Sequence, residues 1–181
     1  MCERAKHVKI QWIEFENLKT GLKIERVNFN SDVTLLVGLS GVGKTQILKA
    51  VEYSLNLAVD KDVILRPYRV GLGILINNKK YEWFYEITKI NEDELIIKEE
   101  SKYEFLFEKL ICNGTIIFER KNEKITVIGY DKVPQPKKDE SLISQYSEDK
   151  NLELLVSGIH KLYSVEIEVA VRGGIVSESF N

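Results

Sequence analysis

The sequence predicts an α/β fold in which a short buried strand leads through a glycine-rich turn into an amphipathic helix. An N-terminal β-hairpin precedes it, and an antiparallel β subdomain and a small helical region follow. Three patterns carry this expectation: the apolar run Val33-Thr34-Leu35-Leu36-Val37 ending at Gly38, the helical spacing of Ile47, Val51, Leu55 and Ala58, and a train of short alternating segments from Val70 to Tyr130. With 181 residues, 44% apolar and 30% charged, the chain suits one domain around one core.

The elements follow in order. Val8 to Phe15 alternates as a strand, with Val8, Ile10 and Trp12 on one face before the phase shifts to Ile13 and Phe15, as at a β-bulge. Lys19-Thr20-Gly21 is a turn signal, and Leu22 to Phe29 reads as the returning strand. Asn30-Ser31-Asp32 closes the hairpin, and Val33–Val37 then has the pattern of a strand buried on both faces. Thr45 to Asn56 is the amphipathic helix, without Gly or Pro. Val70 to Ile76 and Tyr81 to Ile87 form strands around Asn77-Asn78-Lys79-Lys80, and Leu95 to Lys98, Phe105 to Leu110, Ile116 to Glu119 and Lys124 to Tyr130 continue the meander. Pro134-Gln135-Pro136-Lys137-Lys138 breaks the composition and leads to a helix over Asn151–Tyr163 and a last strand over Val165–Val171. The expected divisions of this single lobe, residues 1–181, are therefore 1–64, 65–133 and 134–181.

Composition excludes several classes. Lys plus Arg number 26 against 28 Asp plus Glu, a net charge of -2, which leaves no bulk electrostatic case for non-specific nucleic-acid binding. The longest apolar stretch, Val33 to Val42, is far short of the roughly 18 residues of a membrane span. No apolar stretch of signal-peptide length opens the chain, so the expected location is the cytoplasm. Cys2 and Cys112 are read as free thiols, and His7 and His160 lie at no zinc-ligand spacing from them.

The chemistry lies in Gly38-Leu39-Ser40-Gly41-Val42-Gly43-Lys44-Thr45, which fits G-x-x-x-x-G-K-[ST] between a predicted strand and a predicted helix. Glycines at these positions let consecutive N–H groups converge on phosphate oxygens. The first helical turn adds unpaired N–H groups and the positive end of its dipole. Lys44 then reaches the β and γ phosphates, and the Thr45 hydroxyl ligates Mg²⁺.

These residues, with the preceding hairpin carrying Phe15-Glu16-Asn17-Leu18 and the helix QILKAVEYSL, resemble the N-terminal lobe of ABC-type ATPases of the RecF, SMC and OLD-like group, often labelled AAA-family ATPases. The segments Tyr81–Ile87, Glu94–Glu99, Phe105–Leu110 and Ile116–Arg120 are similar in layout to that group's antiparallel subdomain. The resemblance implies Mg-ATP as ligand and an ATP-dependent homodimer. It also implies a glutamine near Mg²⁺ and the attacking water, for which Gln145 is the nearest candidate by position. Phe15 and Asn17 lie where family members approach the nucleotide from the first strand, but a core aromatic and a turn Asn are the better reading of them.

The family's acidic strand end, its signature motif and its switch histidine are not found. Val127-Ile128-Gly129-Tyr130-Asp131 is followed by Lys132, Leu57-Ala58-Val59-Asp60 closes a helix, and Ser157-Gly158-Ile159-His160 falls within one. The expectation is ATP binding without hydrolysis by these residues alone, as in the N-terminal portion of a longer ATPase or a truncated gene product, with any nucleic acid or effector nuclease engaged by other parts. Two alternatives remain. A small P-loop kinase would need an Arg-rich lid, whereas Arg66, Arg69, Arg120 and Arg172 are scattered. A non-catalytic, nucleotide-sensing interaction module needs only the fold.

Overall fold

The computed structural model describes residues 5–30, 33–39, 43–90, 103–122, 124–129, 136–163, 167–171 and 174–178. The expected strand over Leu95–Lys98 lies outside them. Strands β1 (Val8–Asn17) and β2 (Lys23–Asn28) form the N-terminal hairpin, and helix α1 spans Lys44–Val59. Then come β3 (Tyr68–Ile76), β4 (Lys79–Lys89), β5 (Tyr103–Cys112), β6 (Thr115–Lys121) and β7 (Lys124–Val127). A short helix α2 (Leu142–Gln145), helix α3 (Glu153–Tyr163) and strands β8 (Ile167–Val171) and β9 (Gly174–Glu178) complete the chain.

The N-terminal hairpin and the meander after α1 belong to one sheet, seven-stranded, of order β2-β1-β3-β4-β5-β6-β7 and antiparallel throughout. The join is β1, which pairs with β2 on one edge and with β3 on the other, from Val8 opposite Ile76 to Asn17 opposite Tyr68. The phase shift read in β1 is a bulge between Ile10 and Trp12. It leaves Ile13 and Phe15 buried on the face that carries the helices and turns Trp12, Glu14 and Glu16 to the opposite face.

The inner face is a continuous apolar surface: Val70, Leu72, Ile74 and Ile76 on β3, and Tyr81, Trp83, Tyr85 and Ile87 on β4. Against it α1 buries Ile47, Ala50, Val51, Leu55, Leu57 and Ala58, and α3 buries Leu154, Leu155 and Ile159. Each large apolar side chain removed from water contributes about 1.5–3 kcal/mol, so this contact fixes where α1 starts as well as where it lies. Ser54 on α1 donates to or accepts from the Tyr85 hydroxyl at 2.9 Å, tying helix to sheet inside the core. A Cβ on Gly158 would collide with Ile76 Cδ1, so this glycine sets how closely α3 approaches β3.

The outer face carries no helix among the described residues and is organised by cross-strand charge. Lys23, Glu16, Arg69 and Glu86 stand opposite one another across four neighbouring strands. Arg69 donates to Glu16 and Glu86, both at 2.8 Å, and Arg26 donates to Glu14 and stacks 3.7 Å over the Trp12 ring. Such pairs, each with an opposite charge in register, make a sheet face compatible with water. The turns match their residues: Asn77-Asn78 and Asn113-Gly114 both have positive φ at the two central positions, the conformation two-residue hairpins require.

One polar cluster lies in the inner layer. Glu108 on β5 and Arg120 on β6 stand opposite each other, 0% and 2% exposed, with Oε2 and Nη2 3.8 Å apart. Glu108 accepts from Trp83 Nε1 at 3.2 Å, from Ser141 Oγ at 2.7 Å and from the Leu142 N–H at 2.9 Å. Arg120 donates to the carbonyls of Glu140 at 3.1 Å and Lys138 at 3.4 Å, while its Nε has no partner among the described residues. The pair thus clamps the segment leading into α2 onto the sheet. Burial pushes the Glu108 carboxyl up, opposed by Arg120 and the three donors. Removing one member strands the other's charge in the core. Glu108→Leu is therefore expected to destabilise the fold by about 3 kcal/mol, as is Arg120→Met, and the double variant to cost clearly less than their sum, read from urea unfolding midpoints.

Candidate functional site

The glycine-rich motif sits at the start of α1. Gly38 and Leu39 precede it, and Gly43 caps the helix with φ 94° and ψ 5°, a left-handed conformation that glycine adopts without strain. Ser40, Gly41 and Val42 lie outside the described residues. Helix α1 begins at Lys44, with Thr45 exposed beside it, no acidic residue in its first turn and, among the described residues, no side-chain cap on its N–H groups. Unpaired N–H groups and the dipole make such an end favourable for anions.

Lys44 is folded back. Its Nζ donates to the carbonyls of Gly38 at 2.7 Å and Leu39 at 2.6 Å, so the motif's cation closes the arc of its own loop. The hairpin supports the same place from below: Ile24 on β2 lies where a Cβ on Gly43 would meet it, 3.4 Å from Ile24 Cδ1.

The predicted strand Val33–Val37 is a correction. Residues 33–39 form no strand. Leu36 packs on the core, while Val33, Leu35, Val37 and Leu39 are 76%, 82%, 79% and 81% exposed. The physical reason is that a strand needs a neighbour: among the described residues β2 ends the sheet on this side, paired with β1 alone, and none of them offers V-T-L-L-V a ladder to join. The segment leads into the loop without the sheet support that the sequence suggested.

The other candidates are dispersed. Phe15 is a buried core aromatic, edge-on to Tyr68 with centroids 4.9 Å apart, and the Asn17 side chain accepts from the N–H groups of Lys19 and Thr20 as a turn residue. Gln145 ends α2. Its amide donates to the carbonyls of Lys137 at 3.1 Å and Glu140 at 2.8 Å and accepts from Lys137 N–H at 3.0 Å, closing the loop before the helix. Val127 ends β7, the second arm of the β6–β7 hairpin, and Ile128-Gly129 is a turn, while Tyr130, Asp131 and Lys132 lie outside the described residues. Ser157 and His160 are exposed on α3, and Gly158 and Ile159 are buried.

Surface hollows of about 410, 430 and 490 Å³ are each lined by residues outside 38–45. The first lies on the outer face around Arg69, Gly71 and Phe84. Among the described residues no three of His, Cys, Asp and Glu gather as a metal site, and no helix is long and apolar enough to cross a membrane. In comparisons with protein families, curated proteins and solved structures, nothing matches this chain.

Sequence reading did not foresee the buried Glu108–Arg120 pair or the return of Lys44 onto its loop. The first had a signal, since both charges fall in the inward phase of their strands, two residues from Leu110 and Phe118. Gly43→Ala tests the loop's backbone: a side chain in the left-handed region is expected to lower stability by about 1–2 kcal/mol, seen as a shifted urea midpoint.

Proposed function

We propose that the chain binds Mg-ATP through residues 38–45, with Lys44 on the β and γ phosphates and Thr45 on the metal. The observation that carries this reading is the coincidence of the full G-x-x-x-x-G-K-[ST] string with a helix that begins at its lysine, after a left-handed glycine, with its first N–H groups uncapped among the described residues. The loop carbonyls that now hold Lys44 are neutral acceptors, and a polyphosphate is a stronger partner for an ammonium. Exchange of one for the other is the simplest binding step.

The fold class within this reading is a P-loop ATPase lobe of the ABC type, supported by the motif and by the antiparallel layout after α1 rather than by a core parallel sheet. An ATP-dependent homodimer and a cytoplasmic location belong to the same proposal. Hydrolysis does not. No acidic strand end stands beside the loop among the described residues, and Gln145 is engaged by backbone groups. The chain is therefore proposed to bind nucleotide without turning it over.

Titration calorimetry with ATP, GTP and a non-hydrolysable ATP analogue, each with Mg²⁺, tests this. The expected result is ATP binding that Lys44→Ala weakens at least tenfold, as loss of one charge-assisted contact worth about 1.5–3 kcal/mol requires. Thr45→Ala is expected to remove the Mg²⁺ dependence and keep residual binding. A folded chain that binds none of the three nucleotides would favour the interaction-module reading, and turnover abolished by Lys44→Ala would overturn the non-hydrolytic one.

A further inference from the structure

We infer that the hollow of about 490 Å³ lined by Lys9, Trp12, Lys80 and Glu82 binds a phosphate ester that carries neighbouring hydroxyls, such as a sugar phosphate. Lys9 and Lys80 hold the phosphate, and Glu82 accepts from the hydroxyls. The site lies on the outer face of the sheet and shares no residue with 38–45, so the inference is independent of nucleotide binding there.

Register builds the pair of cations. Lys9 on β1 and Lys80 on β4 both stand opposite Leu75 of β3, so they leave the same face on either side of one apolar side chain. Their Cα atoms are two strand spacings apart, about 10 Å, a gap that two flexible four-carbon stems close onto a single anion. The other cations that register places on this face of β1 to β6 are already paired: Lys23, Arg26, Arg69, Lys109 and Lys121 each meet a glutamate at 2.8–3.3 Å. Lys9 and Lys80 have no such partner among the described residues, although Lys9 is half-buried. Two like charges in one hollow repel until an anion lies between them.

A buried donor marks the same place. Trp12 is 8% exposed, yet its indole N–H donates to no described residue, whereas a buried indole ordinarily finds an acceptor. The N–H edge of the ring lies over Gly73, where an added Cβ would collide with Nε1, and Gly73 is the register partner of Glu82. The unused donor therefore opens on the hollow that Lys80 and Glu82 line. Arg26, stacked 3.7 Å over the ring, holds the indole in this orientation. Glu82 narrows the ligand class: an ionised carboxylate only accepts, so it suits hydroxyl groups and disfavours a bare or extended polyanion. The volume agrees, since it falls in the range of about 300–1,000 Å³ that small-molecule sites occupy.

The indole N–H resonances of the full chain test this, because the sequence has only two tryptophans and the second, Trp83, donates to Glu108 inside the core. The titration uses ribose 5-phosphate, with ribose and inorganic phosphate as comparisons, in a chain carrying Lys44→Ala so that the loop at 38–45 contributes nothing. Ribose 5-phosphate at millimolar concentration is expected to move the Trp12 resonance and leave that of Trp83 in place. Lys9→Gln combined with Lys80→Gln is expected to weaken this binding at least tenfold, and Glu82→Gln to lower the preference for ribose 5-phosphate over inorganic phosphate. A Trp12 resonance that ribose 5-phosphate leaves unmoved in the folded chain would overturn the inference. So would binding that survives the double lysine substitution, or ribose binding as tightly as its phosphate.

Discussion

Covering one face of a wide antiparallel sheet is the constraint on which the rest of this molecule depends. The bulge in β1 decides which residues are covered, because it moves Ile13 and Phe15 inward and Trp12 and Glu14 outward within one strand. Once that phase is set, the aliphatic row of β3 and the aromatic row of β4 form a floor that α1 must meet along its whole length. The start of α1 is fixed in turn. The loop at Gly43 is therefore positioned by packing two or three turns away, and by Ile24 directly beneath it.

The same constraint explains where charge is allowed. On the open face, acids and bases alternate across strands and remain partly in water, so each pair contributes little and serves mainly to fix register. Inside, the only tolerable arrangement is a pair with its remaining lone pairs and protons satisfied. Glu108 meets that condition through Trp83, Ser141 and Leu142, and Arg120 nearly does through two carbonyls. The cost is recovered as a defined attachment for the chain between β7 and α2, a region whose composition otherwise carries little apolar surface.

Much of this was legible in the sequence because it rests on local periodicity. The strands from Val8 to Val127, the helices α1 and α3, and the turn at Asn77-Asn78 follow from alternation, helical spacing and turn residues that need no distant partner. Two features were not legible for the opposite reason. Val33–Val37 has strand composition, but a strand exists only through a neighbour, and local pattern cannot supply one. The merging of hairpin and meander into one sheet depends on β1 pairing with β3 across more than fifty residues, which no short-range signal encodes. The glycine-rich motif was visible at once, whereas the bonds from Lys44 to Gly38 and Leu39 required coordinates.

The central claim is that the start of α1 is the ligand site. Backbone amide chemical shifts of the isotope-labelled chain, followed on addition of Mg-ATP, test it most directly. The account predicts the largest changes at Gly43, Lys44, Thr45 and Gln46, with β4 to β6 nearly unmoved. Changes centred instead on the outer-face hollow around Arg69, Gly71 and Phe84, or no changes in a folded chain, would contradict it.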